Sequence, residues 1–297
     1  MKELIVISGK GGTGKTSILA SFAALASSKV LADCDVDAAD LHLILAPTPE
    51  STHEFWSGNE AQIRQDDCTR CGDCFELCRF ESINTIPDEQ GLRYEVDPTA
   101  CEGCGVCFDR CPANAIDFPE SLCGEWYLSQ TRYGSMVHAH LGIAAENSGK
   151  LVSLVRQQAK ERAVKEGKDL VLVDGPPGIG CPVIASITGA SLVLIVTEPT
   201  LSGAHDLKRV VELTQHFRIP AAVCVNKWDL NEAMCLSIEE SARAMGVTPV
   251  GRIRYDAAVT AAQVAGKSLP EFNGKSASAD VAALWERVNQ LLEQIGD

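Results

Sequence analysis

The sequence predicts a doubly wound α/β domain on a mostly parallel sheet, with a small cysteine-rich unit inserted into it. Three observations lead there. The short apolar runs Leu4–Ile7, Leu170–Val173, Leu192–Val196 and Ala221–Val225 alternate with stretches of helical character. Unbroken apolar runs of this length suit parallel strands buried on both faces. A glycine-rich loop, Gly9-Lys10-Gly11-Gly12-Thr13-Gly14-Lys15-Thr16, follows the first run and opens a helix. Eight of the thirteen cysteines crowd between residues 68 and 111.

Taken in order, Leu4-Ile5-Val6-Ile7-Ser8 is the first strand, and a helix near 15–28 follows the loop. Val30–Ala32 is a weaker strand before Asp33. The stretch 46–62, with Pro47, Pro49 and Gly58, leads into the insert, which interrupts the domain after this second strand. Residues 119–149 lead out; they hold Trp126, Tyr127 and Tyr133 but show no legible period. Helices near 150–166, 203–217, 233–245, 257–265 and 278–295 alternate with the later strands. The expected domains are therefore 1–62 with 119–297, and 63–118. In such an order the ligand lies at the carboxyl ends of the strands. The last helix sets Val281, Leu284, Val288, Leu291 and Ile295 on one face, against Asp280, Glu286, Glu293, Asp297 and one Arg287. A membrane-surface helix would be basic on its polar face, so this one is expected to pack on its own sheet.

Composition narrows the function classes. At 297 residues there is room for one large and one small domain, and an apolar share of 45% supports a sizeable core. A formal charge of −14 argues against nucleic acid or anionic membrane as a partner, since both need basic patches. No apolar run reaches the ~18–20 residues of a membrane span. The amino-terminal residues enter a strand directly with no leader pattern, so a cytoplasmic location is expected. Thiols stay reduced there, and thirteen cysteines then point to metal rather than disulfides.

Cys68, Cys71, Cys74 and Cys78 have the spacing C-x₂-C-x₂-C-x₃-C, and Cys101, Cys104, Cys107 and Cys111 repeat it, followed by Pro112. The duplication also matches Gly72 with Gly105, Phe75 with Phe108 and Ile83 with Ile116. Thiolates so spaced hold two [4Fe–4S] clusters, the fourth cysteine of each run serving the other cluster. One set is then Cys68, Cys71, Cys74 and Cys111; the other is Cys101, Cys104, Cys107 and Cys78. Paired zinc sites are the alternative, but zinc frameworks use paired knuckles and often histidine, and this block holds no histidine. The block resembles a bacterial two-cluster ferredoxin over about residues 63–118, a small α+β unit. It departs at Arg79, which stands where the second run has Pro112.

The glycine-rich loop is a phosphate-binding loop. Its backbone N–H groups close on phosphate oxygens, Lys15 reaches the terminal phosphates and Thr16 offers a hydroxyl to Mg²⁺. Gly9 through Thr16, with Ser17, form the candidate nucleotide cradle. Lys10 is surplus to that design and suggests a dimer that sandwiches nucleotide. Asp33-Cys34-Asp35 follows the second strand, Asp174-Gly175-Pro176-Pro177-Gly178 the strand at 169–173, and Asn226-Lys227-Trp228-Asp229 the strand at 221–225.

With the two-lysine loop, these motifs resemble the MinD/ParA/Mrp superfamily of deviant P-loop ATPases over roughly 1–60 and 120–270. The nitrogenase iron protein is a relative, and the chain is most similar to MinD-like members with an inserted ferredoxin domain. The resemblance implies ATP and Mg²⁺ as ligands and a dimer, of two like chains or with a similar ATPase. It implies that Lys10 reaches the partner subunit's phosphates much as an arginine finger does. Asp35 would orient the attacking water and contribute to the Mg²⁺ site, Asp174 would hold Mg²⁺ through water, and Asn226 would meet the adenine edge beside Lys227. Asp229 leaves a guanine-reading alternative, ranked second because the deviant lysine belongs to an ATP-using family.

Cys34, Cys123, Cys181, Cys224 and Cys235 lie outside the repeats. Cys224 is expected in the core. Cys181 falls seven residues after Asp174, which resembles a cluster-bridging cysteine of the nitrogenase iron protein; such a bridge needs a second cysteine, and Cys123, the only spare near an expected loop, does not align with it. Small buried residues are the default for both. His138-x-His140 is more readily a surface or core pair than a metal site.

Three functions follow from the resemblance. One is an ATP-driven redox protein passing electrons through both clusters to a protein partner. Another is an Mrp-type iron–sulfur assembly factor, against which counts the expectation that a full ferredoxin pattern buries its clusters. The last is a positioning ATPase that recruits protein partners, with the clusters as redox sensors.

Overall fold

The computed structural model describes residues 1–142, 148–272 and 276–295. The chain opens with β1 (Lys2–Ser8), α1 (Lys15–Leu25), β2 (Lys29–Asp33) and α2 (Leu41–Leu45). A long β3 (Thr48–Asn59) precedes β4 (Gln62–Ile63), α3 (Asp73–Leu77), β5 (Ile83–Asp88), β6 (Gly91–Val96), α4 (Val106–Arg110) and β7 (Ile116–Asp117). After β8 (Glu120–Thr131) and β9 (Gly134–Leu141) come α5 (Ser148–Glu166), β10 (Leu170–Pro177), α6 (Cys181–Ile187), β11 (Leu192–Thr197) and α7 (Leu201–His216). β12 (Ala221–Asn226), a 3₁₀ turn (Trp228–Leu230), α8 (Glu232–Ala244), β13 (Thr248–Ile253), α9 (Ala257–Val264), α10 (Leu269–Phe272) and α11 (Ala277–Gln294) complete it.

Two compact units result. The larger holds Met1–His53, Trp126–His140 and the described residues from Ser148 onward; the smaller holds Glu54–Glu125 and residues 141–142. The second unit begins within β3 and ends within β8. It extends past the cysteine repeats on both sides because those two strands run on, twelve residues each.

A nine-stranded sheet has the order β13-β12-β11-β1-β10-β2-β9-β8-β3. Pairings from β13 through β9 are parallel. Leu4–Ile7 and Leu192–Val196 are buried throughout, as strands covered on both faces must be. The predicted doubly wound fold class holds. The sequence reading of 46–62 and 119–149 as connections does not: both contain strands. Pro49 and Gly58 hid β3, and in β9 the buried run Ser135–Val137 is flanked by polar residues and the histidines His138 and His140, so neither an apolar run nor a clean alternation marks it. β13 was also hidden, by Pro249, Gly251 and Arg252.

Helix ends follow local chemistry. Thr200 Oγ1 accepts from Gly203 N at α7, Asn231 Oδ1 from Met234 N at α8, and Asp256 Oδ1 from Ala258 N at α9; each satisfies an otherwise orphaned amide. Helix α11 packs on β13 as its pattern requires, burying Val281, Leu284, Val288 and Leu292, with Leu291 and Ile295 partly covered. In the smaller unit β4 pairs with β7 and β5 with β6, both antiparallel.

A buried ion pair ties three elements together. Arg156 on α5 donates from Nε and Nη2 to the Glu3 carboxylate on β1 at 2.9 and 2.5 Å, and from Nη1 to the carbonyls of Ala185 and Thr188 at α6. Removing one partner of such a pair strands the other charge in low dielectric. Replacing Arg156 by Met should therefore cost about 3–5 kcal/mol, read as a lower urea midpoint. A loss below about 1 kcal/mol would mean that Lys160, 2.9 Å from Glu3, neutralises the carboxylate unaided.

Candidate functional site: a phosphate-loop cavity and two four-cysteine cavities

The loop between β1 and α1 is shaped by its glycines. Gly12 and Gly14 have φ of 78° and 93°, values that disfavour any side chain. A Cβ on Gly14 would also sit 2.5 Å from Asn226 Nδ2. Asn226, at the end of β12, donates from that amide to Thr13 O at 2.7 Å, and its Oδ1 accepts from Lys227 N. The residue expected to meet a base thus clamps the loop.

Beside the loop lies a cavity of about 450 Å³. Gly11, Gly12, Gly14, Lys15, Thr16 and Ser17 line one side, with Asp35 and Pro177; Ile253–Asp256 and Gln263 line the other. Asn226 and Lys227 also border it, while Gly9, Lys10 and Thr13 do not. Asp229 Oδ1 accepts from Tyr255 N at 2.7 Å. The carboxylate that a guanine would need instead holds the loop after β13.

At the floor of the site the charges do not balance. Lys15 Nζ lies 3.2 Å from Asp35 Oδ2, with side-chain exposures of 6% and 10%. Asp33 Oδ1 accepts from Asp35 N, but its Oδ2, both oxygens of Asp174 and Thr13 Oγ1 are buried without a hydrogen-bond partner. Burial pushes the Asp174 carboxyl up to about 6, against the pull of Lys15. Burial, reinforced by Asp174, also drives Asp33 well above the carboxylate range. Burial lowers Lys15, yet Asp174, Asp35 and Asp33 together hold it above its ordinary value. Buried carboxylate oxygens left unpaired are costly. An all-oxygen set of Asp174, Asp35 and Thr16 suits a hard divalent cation such as Mg²⁺.

Lys10 is held on its own chain, 3.2 Å from Glu198 Oε2, and donates to Ser202 Oγ at 3.3 Å. Glu198 Oε1 takes Lys227 Nζ at 2.5 Å. Burial opposes ionisation of Glu198, but Lys227 and Lys10 outweigh it and keep the carboxyl below its usual range. Glu198 was not singled out from sequence. Its signal is position: Glu198-Pro199 follows an apolar strand at the carboxyl edge, where ligands gather. The Ile253–Asp256 wall was missed because β13 was missed.

The repeats fold into two corresponding cysteine sites. Cys68, Cys71, Cys74 and Cys111 line one cavity; Cys78, Cys101, Cys104 and Cys107 line the other. Each cavity thus takes three cysteines from one run and the fourth from the other. Gly72 and Gly105, at φ 87° and 75°, start the short helices α3 and α4 that turn the thiols inward. Among the described residues no group of three or more His, Cys, Asp or Glu is placed to hold a single metal ion. Two thiol quartets around separate cavities fit [4Fe–4S] clusters, where each thiolate takes a different iron. None of the eight cysteines is fully buried, and Cys71 and Cys104 are exposed. The runs lie at the surface of a unit whose core is small, with Ile83, Tyr94, Ala115 and Ile116 among its few buried apolar residues.

Of the remaining cysteines, Cys34, Cys224 and Cys235 are buried and Cys181 is exposed. Cys123 lies in β8 rather than a loop, buried, with Sγ donating to Ser57 O at 2.9 Å. His138 pairs with Ser129 Oγ at 2.8 Å, stacks on Tyr127 and is pushed down to about 4 by burial and His42.

Comparison with known proteins agrees with this geometry. Residues 61–118 match the family of 4Fe-4S dicluster domains. The cell division ATPase MinD of Pyrococcus furiosus superposes with a TM-score of 0.59 at 17% identity, over 98% of this chain and 99% of that one. MinD of Pyrococcus horikoshii, solved with Mg-ADP, gives 0.59 at 16% identity, over 100% and 99%. Likeness at such identity shows the fold. Two uncharacterised proteins of Methanocaldococcus jannaschii are nearer in sequence. MJ0578 is 33% identical over 232 residues, 77% of this chain and 79% of its own. MJ0579 is 24% identical over 241 residues, 78% and 83%. The chain belongs to the family of MJ0578, whose architecture in this member is a 4Fe–4S dicluster domain carried on a MinD/ParA fold.

Proposed function

We propose that the protein is an ATPase that couples nucleotide binding and hydrolysis, in a dimer, to electron transfer through two [4Fe–4S] clusters to a protein partner. One observation carries the reading: the same chain holds a phosphate-loop cavity with an unbalanced carboxylate cluster and two four-thiol cavities. Residues 11–16 hold the phosphates, and Lys15 neutralises the terminal ones. Thr16 and Asp174 hold Mg²⁺, which supplies charge neutralisation of the phosphates when bound. Asp35 positions the attacking water. Asn226 keeps the loop shaped, and Lys227 with the Ile253–Asp256 wall borders the base. The engagement of Asp229 by Tyr255 N favours ATP over GTP.

Coupling rests on Lys15. In this state Asp35 is its partner. A triphosphate would compete for the same ammonium, and γ-phosphate contacts order switch segments in enzymes of this kind. Twelve residues separate Asp35 from the start of β3, and that strand runs into the smaller unit. The dimer forms with a second copy or with a similar ATPase; the presence of two consecutively numbered relatives in one organism supports the latter. Exposure of Cys71 and Cys104 favours a second reading, cluster delivery, in which the clusters pass to an acceptor apoprotein under the same nucleotide control.

Lys10→Ala should retain nucleotide binding but lower turnover on the order of 10³-fold, as loss of an arginine finger does; turnover measured against protein concentration checks this, and an unchanged rate would remove the trans-lysine role. Asp174→Asn should abolish Mg²⁺-dependent binding and yet stabilise the metal-free, nucleotide-free protein. With the wild-type carboxyl raised to about 6, its ionisation is a burden in the folded state. The gain should be fully present above pH 6, on the order of 3 kcal/mol at 1.36 kcal/mol per pKa unit, and fade as pH falls toward 4. Melting curves across that range are the measurement. Anaerobic redox titrations with ADP and with a non-hydrolysable ATP analogue should give different midpoint potentials. Identical values, together with loss of iron to an apoprotein, would support delivery instead.

A further inference from the structure

The two cysteine sites differ at several positions, among them Arg79 against Pro112 and a backbone donor from Arg70 N to Cys68 Sγ at 3.4 Å, and one difference is a buried hydroxyl. Aligned by the repeat, Ser82 corresponds to Ala115, each four residues after the fourth cysteine of its run. Ser82 is 3% exposed and its Oγ lies 3.1 Å from Cys78 Sγ. Its backbone is fixed, since Ser82 O accepts from Asp97 N at 2.7 Å. In the second run Ala115 is fully buried and only its backbone N–H donates to Cys111 Sγ, at 3.3 Å. A cluster-bound cysteine is a thiolate with no proton to give. Between Cys78 and Ser82, the hydroxyl must then be the donor.

We propose that Ser82 is a positioning and tuning residue that sets the cluster held by Cys78, Cys101, Cys104 and Cys107 at a higher potential than its neighbour. Reduction adds negative charge to a cluster and its thiolates. A donor fixed on a ligating sulfur stabilises the reduced form more than the oxidised one, and hydrogen bonds to sulfur are among the determinants of cluster potential. Nearby charge does not decide the order. Arg79 follows Cys78, but Arg110 precedes Cys111, and both are exposed, where screening is strong; the Arg70 guanidinium near Cys68 is paired with both oxygens of Asp88. Burial of Ser82 acts the other way, since its dipole works in a medium of low dielectric. The gradient this creates runs from the Cys68 site to the Cys78 site, so the latter is where an electron rests before leaving the chain.

The inference rests on the dicluster reading but not on nucleotide coupling, and its test is run on nucleotide-free protein. Wild type, Ser82→Ala and Ser82→Thr are purified anaerobically and their iron and sulfide measured. Each is then titrated with dithionite and followed by electron paramagnetic resonance. Wild type should show two midpoint potentials. In Ser82→Ala the higher one should fall while the lower stays, with iron content unchanged. Ser82→Thr, which keeps the hydroxyl, should restore the wild-type value. Equal shifts of both potentials, no shift, or a threonine variant that behaves like alanine would overturn the assignment. Should Ser82→Ala lose iron, the converse Ala115→Ser, which adds a hydroxyl beside Cys111, must raise the lower potential; failure to do so would equally refute it. Wild-type protein without inorganic sulfide would instead refute the dicluster reading itself.

Discussion

Lys15 stands among Asp33, Asp35 and Asp174 with one ammonium for three largely buried carboxyl groups. The strands fix this arrangement: β2 delivers Asp33 and Asp35, β10 delivers Asp174, and α1 starts at Lys15. Parallel registry sets Asp33 opposite Asp174, so the like charges cannot separate without breaking the sheet. The cluster relaxes by proton uptake or by accepting a cation. The rest of the site is arranged around that deficit. Asn226 clamps the loop so that its amides stay aimed, and Glu198 keeps two further ammonium groups from neutralising the pocket.

Glu198 gives the spare lysine a defined resting place. Its two oxygens serve Lys10 and Lys227 separately, so departure of Lys10 leaves Lys227 still paired and the loop still clamped. Release of Lys10 therefore costs its own subunit little, which the proposed action across a dimer requires. The exposed side of this contact, with Lys10 about a third accessible, is compatible with such an exchange.

The central sheet was legible because its strands are covered on both faces. Leu4–Ile7, Leu192–Val196 and Ala221–Val225 need unbroken apolar runs, and the sequence supplies them. β3, β8 and β9 lie toward the sheet's other edge, and β13 ends it. Strands there tolerate Pro49, Pro249 and polar residues, so no pattern announces them. The glycine loop, the cysteine runs and the carboxylates after β2 and β10 could be named beforehand because their chemistry demands fixed spacing. Glu198 and the Ile253–Asp256 wall could not, since they reach the site through tertiary packing alone. The role expected of Asn226 shows a further limit: spacing located the residue, but its partner, Thr13 O, is 213 positions away.

The insert leaves from β3 and returns through β8, and those strands are neighbours in the sheet. In chain terms the dicluster unit joins two strands that are hydrogen-bonded neighbours. None of the right-handed crossovers that wind the parallel core has to open to admit it. A segment placed at such a point leaves the order of the parallel strands that carry the nucleotide loop undisturbed.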